Sequence, residues 1–212
     1  AKNELVAFLD SDDIWHEDKI KRQLKFLGKS SDIDMVYCAQ GGIELYKANL
    51  LEHLVDGWVP PNPSTLIFRK NVYENLGGFD NNLKACEDHD FWFRFAESGC
   101  KVDFSEEELV DFMSDANNRL SYNYELRVEA VNVFLNKWKN VIVDTKGIDG
   151  YKKYKNNYIL KVVYPIFIDS IISKNFINSI QVFAKYFAFN KYFYIKAVNY
   201  AWKKADVYKY DK

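Results

Sequence analysis

The first apolar run of the chain is short and continuous, and it ends in a cluster of aspartates. Residues 5–9 show no alternation of apolar and polar positions, which is typical of a strand covered on both faces of a parallel sheet. An acidic loop follows at residues 10–13. Beyond it, three apolar residues share the spacing of a helix: Ile20, Leu24 and Leu27. Gly28 is placed to end that helix, so the pattern predicts a strand, an acidic loop and a helix in succession.

Short strands and helices alternate through the next part of the chain. Strands are predicted at residues 35–39, 64–68, 101–104 and 108–112, and helices at residues 71–76 and 87–97. The proline-rich stretch at residues 57–63 is a candidate binding loop. From residue 119 onward the pattern is helical, and breaks are expected near residues 147–150, Pro165 and Asn190. The order of elements predicts an α/β region over residues 1–115 and an all-helical region over residues 116–212.

The charges of the chain nearly cancel, but they are unevenly distributed. The sequence holds 29 Lys and Arg against 30 Asp and Glu, which removes any whole-chain argument for nucleic-acid binding. Residues 1–149 carry a net charge of −10, whereas residues 150–212 carry +9. A hydrophobic content of 48% excludes a disordered chain and is enough for a good-sized core. The chain therefore has an acidic body and a basic C-terminal region.

Cysteine usage and the lack of long apolar runs indicate the compartment. The three cysteines have no metal-binding spacing, and an odd number cannot all pair: Cys38, Cys86 and Cys100. Reduced thiols are typical of the cytosol. The sequence shows neither a signal-peptide pattern at its start nor a run of about 18 apolar residues. We therefore expect a cytoplasmic protein.

The acidic loop is a candidate metal site because of its place after a strand. Open α/β sheets bind ligands outside the carboxyl ends of their strands. Asp10, Asp12 and Asp13 would repel one another unless a cation neutralised them, and an oxygen-only cluster suits Mg²⁺ or Mn²⁺. The alternative is that Asp12 or Asp13 caps the following helix while the others face solvent. An EF-hand is excluded, since Trp15 stands where its glycine belongs and Lys21 where its bidentate glutamate belongs.

A second group of chemically useful residues opens the helix predicted after the double glycine. Asp88 and Trp92 lie at helical spacing, so the carboxylate sits in the first turn on the same face as an aromatic ring. The helix N-terminus favours the ionised carboxylate while aromatic surroundings disfavour it, a balance that suits a general base. Asp90 and Arg94 form an ordinary i,i+4 pair. The alternative is that Glu87 and Asp88 only complement the helix dipole and that Trp92 belongs to the core.

Four segments, taken in order, resemble the family 2 glycosyltransferases. FLDSDDIW at residues 8–15 resembles the metal-binding D-x-D segment of that family. Three later segments resemble its second half: STLIFR at 64–69, GGFD at 77–80 and EDHDFWFR at 87–94. Each motif alone is weak. Together they cover about residues 1–112, and their order makes the resemblance specific.

The resemblance implies an inverting, metal-dependent transferase with a partial GT-A fold, a Rossmann-like mixed sheet flanked by helices. Such enzymes move a sugar from a nucleotide sugar, usually a UDP-sugar, to an acceptor hydroxyl in the synthesis of cell-surface polysaccharides or glycolipids. It further implies that Asp12 is the main protein contact of Mn²⁺ or Mg²⁺. Asp10 would be a second contact and would lie nearer the nucleotide ribose.

The resemblance also assigns roles to the helix that begins near residue 87. Asp88 corresponds to the catalytic base, which takes the proton from the acceptor hydroxyl. Glu87 would help to order the acceptor, and Trp92 and Arg94 would line or support its site. Family members begin with at least two βα units that hold the base and the ribose, and this chain lacks them. We therefore expect a C-terminal fragment that is inactive by itself.

The basic C-terminal region holds 17 of the 36 aromatic residues. Stacked helices with an aromatic core and solvated lysines are one explanation. Attachment to an anionic membrane surface is another, because Lys, Tyr and Trp suit the headgroup region. That explanation fits a cytoplasmic transferase, peripheral at the inner face of the membrane, that acts on lipid-linked or surface glycans. No nucleic-acid-binding module is recognised, so no nucleic-acid partner is expected.

Two other functions fit part of the sequence. A phosphatase of the haloacid-dehalogenase type also places D-x-D after a buried strand, but it usually has Thr or Val where this chain has Asp13. It leaves the segment at residues 87–94 unexplained. A non-catalytic scaffold of a glycan-assembly complex would fit the missing first half. The partners that the main hypothesis implies are a nucleotide-sugar donor and a glycan or lipid-linked acceptor.

Overall fold

A computed structural model describes residues 2–112 and 124–163 of the chain. Its helices and strands, in order, are β1 (Leu5–Ala7), β2 (Asp13–Trp15), α1 (Lys19–Leu27), β3 (Met35–Ala39), α2 (Leu50–Val55), β4 (Ile67–Arg69), α3 (Lys70–Asn75), α4 (Glu87–Glu97), β5 (Val102–Glu108), β6 (Val110–Phe112), α5 (Tyr124–Lys137) and α6 (Lys139–Val162). The chain divides into two compact units, Ala1–Tyr154 and Lys155–Lys212. The part of the second unit that the structure describes is the end of α6. The boundary predicted after residue 115 and the breaks predicted at Pro165 and Asn190 lie outside the described residues.

A four-stranded mixed sheet organises the first unit. Its strand order is β1-β4-β3-β5, with β4 antiparallel to both neighbours and β3 parallel to β5. The apolar run of β3 is buried from Met35 to Cys38, which explains why it is continuous rather than alternating. β2 and β6 form a separate antiparallel ribbon, in which Trp15 stands opposite Val110. The sheet carries helices and is followed by helical chain, so the predicted α/β class is confirmed.

Two strands differ from their predicted form. β1 is only partly buried, and its neighbour β4 is antiparallel, so the parallel environment predicted from residues 5–9 is wrong. The strand predicted at residues 64–68 begins later, because Pro63–Thr65 forms a 3₁₀ turn before β4. The side chain of Asn62 accepts the backbone N–H of Ser64 at 2.8 Å and stabilises that turn. A proline at its first position suits a turn better than a sheet ladder.

α1 buries only Leu27 of its three helically spaced apolar residues. Ile20 and Leu24 are each 38% exposed, whereas Gln23 is fully buried. The Gln23 amide donates to the backbone carbonyl of Thr65 at 2.7 Å and to that of Val36 at 3.3 Å. A buried amide costs free energy unless it is hydrogen-bonded, and these two carbonyls supply the acceptors. Hydrogen bonds from Gln23 to β3 and to the turn before β4 therefore hold this helix against the sheet.

The double glycine after α3 turns the chain toward α4. Gly77 and Gly78 have φ angles of +81° and +66°, a left-handed conformation that glycine adopts without strain. A Cβ at Gly78 would lie 3.0 Å from the ring of Tyr73. That ring packs against Phe79 and Phe91, with centroids 5.7 Å and 5.5 Å away. The turn thus joins α3 and α4 in one aromatic cluster.

The helices α4 and α6 follow the predicted pattern. α4 has the bounds that the sequence predicted, and its Phe93 packs against Phe134 of α5 and against Trp138, with centroids 5.3 Å and 4.9 Å away. The break predicted near residues 147–150 occurs as a kink inside α6, at Gly147. Of the helices that the structure describes, none is both long and apolar enough to cross a bilayer.

Candidate functional site

The acidic loop connects β1 to β2 and is tied to the turn before β4. The backbone N–H of Asp10 donates to the hydroxyl of Ser64 at 3.0 Å. Within the loop, the N–H of Asp13 donates to the carbonyl of Asp10 at 3.1 Å. Asp18 occupies the N-cap of α1, so neither Asp12 nor Asp13 caps that helix. The capping alternative for these aspartates is therefore wrong.

The first turn of α4 supplies a second pair of carboxylates. Glu87 and Asp88 lie where the positive end of the helix dipole favours negative charge. One carboxylate oxygen of Asp88 accepts the backbone N–H of His89 at 2.8 Å. The residue before the helix, Cys86, has a φ of +63°, which is strained for a side chain with a Cβ. The chain thus enters α4 through a strained residue that directly precedes both carboxylates.

The acidic loop and the first turn of α4 lie near enough for the charges of their carboxylates to interact. Although Asp10 keeps exposed surface, partial burial raises the pKa of its carboxyl; the Asn62 amide opposes this, and the charges of the other loop aspartates and of Asp88 add to it. Burial likewise raises the pKa of Glu87, and the charges of Asp88 and Asp10 raise it further. Carboxylates from two distant segments therefore share one electrostatic environment.

No Lys or Arg of residues 2–112 and 124–163 forms an ion pair with Asp10, Asp12 or Asp88. In the same part of the chain, no group of three His, Cys, Asp or Glu side chains could hold a metal ion by itself. Repelling carboxylates with oxygen ligands alone fit a hard cation such as Mg²⁺, which takes one or two carboxylates and completes its shell with water and phosphate. The residues present therefore fit the predicted type of metal.

Trp92 and Arg94 belong to the scaffold that holds α4. Trp92 is fully buried, and its indole packs edge-on against Tyr37 and Trp58, with centroids 5.6 Å and 5.5 Å away. The Nε of Arg94 donates to Asp90 at 2.8 Å, which confirms the predicted i,i+4 pair. The core position offered as the alternative for Trp92 is the one observed. A supporting role for both residues at an acceptor site stays a prediction.

Asp90 anchors α4 to α5. Its carboxylate is fully buried and accepts hydrogen bonds from Arg94 and from the indole N–H of Trp138, the second at 2.9 Å. The ammonium of Lys137 lies 2.9 Å from Asp90 and 2.7 Å from Asp80. This network joins the GGFD segment, α4 and α5, and it fixes the helix that carries the predicted base.

Sequence reasoning misses two residues that contact the acidic loop. Ser64 falls in a predicted strand, and Asn62 falls in the proline-rich loop, whose turn residues are the one signal that could have found it. The Nδ2 of Asn62 lies 3.4 Å from a carboxylate oxygen of Asp10. One carboxylate oxygen of Asp13 is also buried, with no hydrogen-bond partner among the described residues. The acidic loop is thus held by hydrogen bonds from the turn before β4, which the acidic motif alone does not predict.

Several curated relatives carry the same description. A protein of Methanocaldococcus jannaschii named as an uncharacterized glycosyltransferase is 24% identical over 189 residues, which is 81% of this chain and 64% of that protein. Proteins of Rickettsia typhi and Rickettsia prowazekii with that description are each 28% identical, over 51% and 44% of this chain and over 39% and 35% of their own lengths. The chain therefore spans less than two thirds of these relatives. No family model matches the chain. The relatives support a relationship to glycosyltransferases.

Proposed function

We propose that this chain carries catalytic residues of an inverting, metal-dependent glycosyltransferase of family 2 with a GT-A fold. The observation that carries the proposal is that the charge of Asp10 interacts with those of both Asp88 and Glu87, which relates two motifs far apart in the sequence. The names of the curated relatives support the same class of enzyme. The donor is a nucleotide sugar, most simply a UDP-sugar, and the acceptor presents a hydroxyl group.

The acidic loop serves the donor side of the reaction. Asp12 and Asp10 bind Mn²⁺ or Mg²⁺, with Asp12 as the main ligand and Asp10 nearer the ribose. The bound cation offsets the charge that builds on the departing diphosphate. The repulsion around Asp10 supports this role, because a cation relieves it and no described Lys or Arg does so.

Asp88 serves the acceptor side. Its carboxylate takes the proton of the acceptor hydroxyl while the hydroxyl oxygen attacks the anomeric carbon of the donor. The new C–O bond forms as the bond to the diphosphate breaks, and the nucleoside diphosphate leaves. Attack from the face opposite the leaving group inverts the anomeric centre. In support, Asp88 has no ion pair among the described residues, so no Lys or Arg competes with the acceptor proton for its carboxylate.

Glu87, Trp92 and Arg94 complete the acceptor side. Glu87 shares the charged environment of Asp88 and Asp10, and it orders the acceptor by hydrogen bonding to its hydroxyl groups. Trp92 and Arg94 act from inside the fold, where they hold the helix that carries Glu87 and Asp88.

The acceptor is a glycan or a lipid-linked glycan, and the enzyme works in the cytoplasm, peripherally at the inner face of the membrane. The support is compositional: residues 150–212 combine a net charge of +9 with 17 aromatic side chains. Sedimentation with vesicles of phosphatidylcholine, with and without phosphatidylserine, tests the attachment. Binding only to the anionic vesicles supports it, and equal binding to both contradicts it.

Product analysis of the complete gene product tests the reaction. The protein is incubated with MnCl₂ and a panel of nucleotide sugars, with and without EDTA, and the release of nucleoside diphosphate is measured. EDTA-sensitive release that requires an acceptor supports the proposal. Release of phosphate from p-nitrophenyl phosphate would identify the phosphatase alternative. Absence of both activities, with stable binding to another glycosyltransferase, would identify a scaffold.

A further inference from the structure

Ser64 holds the acidic loop at two points. Its hydroxyl accepts the backbone N–H of Asp10 at 3.0 Å, and its carbonyl accepts the indole N–H of Trp15 at 2.8 Å. Asp10 and Trp15 stand on either side of the segment that carries Asp12 and Asp13. Ser64 is fully buried, so no water competes for these bonds. One residue therefore fixes both ends of the acidic loop.

The turn that carries Ser64 is itself fixed by neighbouring elements. The Asn62 side chain accepts the N–H of Ser64 at 2.8 Å, while the N–H of Asn62 donates to the side chain of Gln40, directly after β3, at 2.8 Å. From α1, the buried Gln23 donates to the carbonyl of Thr65 at 2.7 Å. Because the turn is tied to both α1 and β3, Ser64 is a rigid support for the loop.

We propose that Ser64 is a positioning residue for the donor side of the site, and that it keeps Asp10 and Asp12 at the separation that one divalent cation requires. This inference rests on the proposed function. Asp10 is repelled by Asp88 and by its own loop neighbours, which would move an unsupported loop away from α4. The bond from Asp10 to Ser64 acts against this repulsion through the backbone.

The chain offers a matched pair of substitutions. Ser64→Ala removes the acceptor of the Asp10 N–H and keeps the carbonyl that binds Trp15. Thr65→Val removes the next hydroxyl of the same buried turn, which donates to the carbonyl of Asn62 at 2.7 Å. Both variants lose one buried hydrogen bond, but only the first loses a bond to the acidic loop.

Outer-shell residues of metal sites typically change metal affinity by about 10- to 100-fold when they are replaced. For Ser64→Ala we expect the affinity for Mn²⁺ to fall by about tenfold. The Mn²⁺ concentration for half-maximal activity rises by the same factor, while kcat at saturating Mn²⁺ changes little. Thr65→Val keeps the affinity of the wild type, because its lost bond lies within the turn.

Two measurements on the complete gene product test the inference. Hydrogen–deuterium exchange of the acidic-loop peptide, without metal, shows how strongly the loop backbone is protected by its hydrogen bond to Ser64. Titration with MnCl₂, followed by electron paramagnetic resonance of the unbound ion, gives the affinity. We expect Ser64→Ala to exchange faster and to bind Mn²⁺ more weakly than Thr65→Val. Equal changes in both variants, or none in Ser64→Ala, would overturn the positioning role.

The same experiment separates this inference from the proposed function. If the wild type binds Mn²⁺ but transfers no sugar, the glycosyltransferase proposal fails, and the Mn²⁺ affinities still decide the role of Ser64. If the wild type transfers sugar and Ser64→Ala matches it at every Mn²⁺ concentration, the positioning role fails alone. Ser64→Cys, which keeps the volume with a much weaker acceptor, replaces the alanine variant if that variant folds poorly.

Discussion

The charge of Asp88, in the first turn of α4, acts on Asp10 in the acidic loop and adds to the rise that partial burial causes in the pKa of the Asp10 carboxyl. Their charges interact although the chain between them forms three strands and three helices. Buried contacts oppose the repulsion, since Ser64 holds the loop and Asp90 anchors α4. Under the proposed function, a divalent cation bound by the acidic loop would relieve part of this repulsion.

Replacement of Asp88 tests the acceptor side. Asp88→Asn keeps the shape of the side chain and its bond to the N–H of His89, but an amide cannot accept the proton of the acceptor. We expect kcat of the complete gene product to fall by about 10²- to 10⁴-fold, while KM for the donor changes little. Steady-state kinetics with the nucleotide sugar that the product analysis identifies measures both constants.

Asp32→Asn is the control for that substitution. Asp32 is an exposed aspartate whose carboxylate pairs with Lys101 at 3.2 Å, and it has no contact with the acidic loop. The control variant should retain wild-type kcat. Full activity of Asp88→Asn would remove Asp88 from the mechanism and leave the acidic loop as the sole support for an enzyme.

Replacement of Asp12 tests the donor side. Asp12→Ala should abolish metal-dependent binding of the nucleotide sugar, because it removes the main oxygen ligand and leaves Asp10 alone. Isothermal titration calorimetry with MnCl₂ present, and again with EDTA, measures that binding. Asp149→Ala, at an exposed aspartate that pairs with Lys152, should bind the donor like the wild type. Binding that is unchanged by both the substitution and the chelator would contradict a metal site here.

The helices illustrate what the sequence pattern can predict. α4 has its predicted bounds because its signals are local: carboxylates in the first turn, aromatic residues at helical spacing and Gly99 just beyond the end. The apolar spacing of α1 predicts the helix, but it gives no sign that Gln23 is buried, where its side chain donates to the carbonyls of Val36 and Thr65. Those partners are distant in sequence, and no periodicity of α1 itself encodes them.

The candidate site divides in the same way. The two acidic segments that carry Asp10 and Asp88 are visible in the sequence as motifs, one after a strand and one at the start of a helix. The support by Ser64 is invisible, because its hydroxyl and carbonyl act on the loop across a turn that the pattern predicts as strand. The motifs contain both kinds of residue, since Ser64 and Asp90 lie inside them, and only the tertiary contacts show which residues hold the others in place. The roles of all these residues stay predictions.

Replacement of Asp90 tests the anchor of α4. Asp90→Asn should lower the free energy of unfolding by about 3–5 kcal/mol, because the fully buried Asp90 loses the charge that pairs with Arg94 and Lys137. Asp18→Asn is the matched control, since Asp18 forms the same i,i+4 pair with Arg22 on the surface, where it contributes little. Urea denaturation measures both variants. A loss no larger than that of the control would mean that the network does not anchor the helix.

Lys19 is buried in the first turn of α1 without a matching acceptor. The residue is fully buried, and its ammonium has no hydrogen-bond partner among the described residues. It lies 4.4 Å from the centroid of the Trp15 ring, which stabilises a cation only in part. Burial lowers the pKa of Lys19 to about 8, against a smaller opposite effect of Cys38.

Lys19→Met should therefore stabilise the fold at pH 7 by roughly 1–3 kcal/mol, because methionine has a similar length and no charge to desolvate. Between pH 8 and pH 10 the unfolded wild type keeps the Lys19 proton and the folded form releases it, so the free energy of unfolding of the wild type rises with pH relative to the variant. The difference in free energy of unfolding between the wild type and Lys19→Met should therefore become smaller across this range. Urea denaturation at pH 7 and at pH 10 measures this difference. The control is Lys21→Met, at an exposed position of the same helix, which should have the free energy of unfolding of the wild type at both pH values. A difference that is the same at both pH values would mean that Lys19 keeps an ordinary pKa in the folded protein.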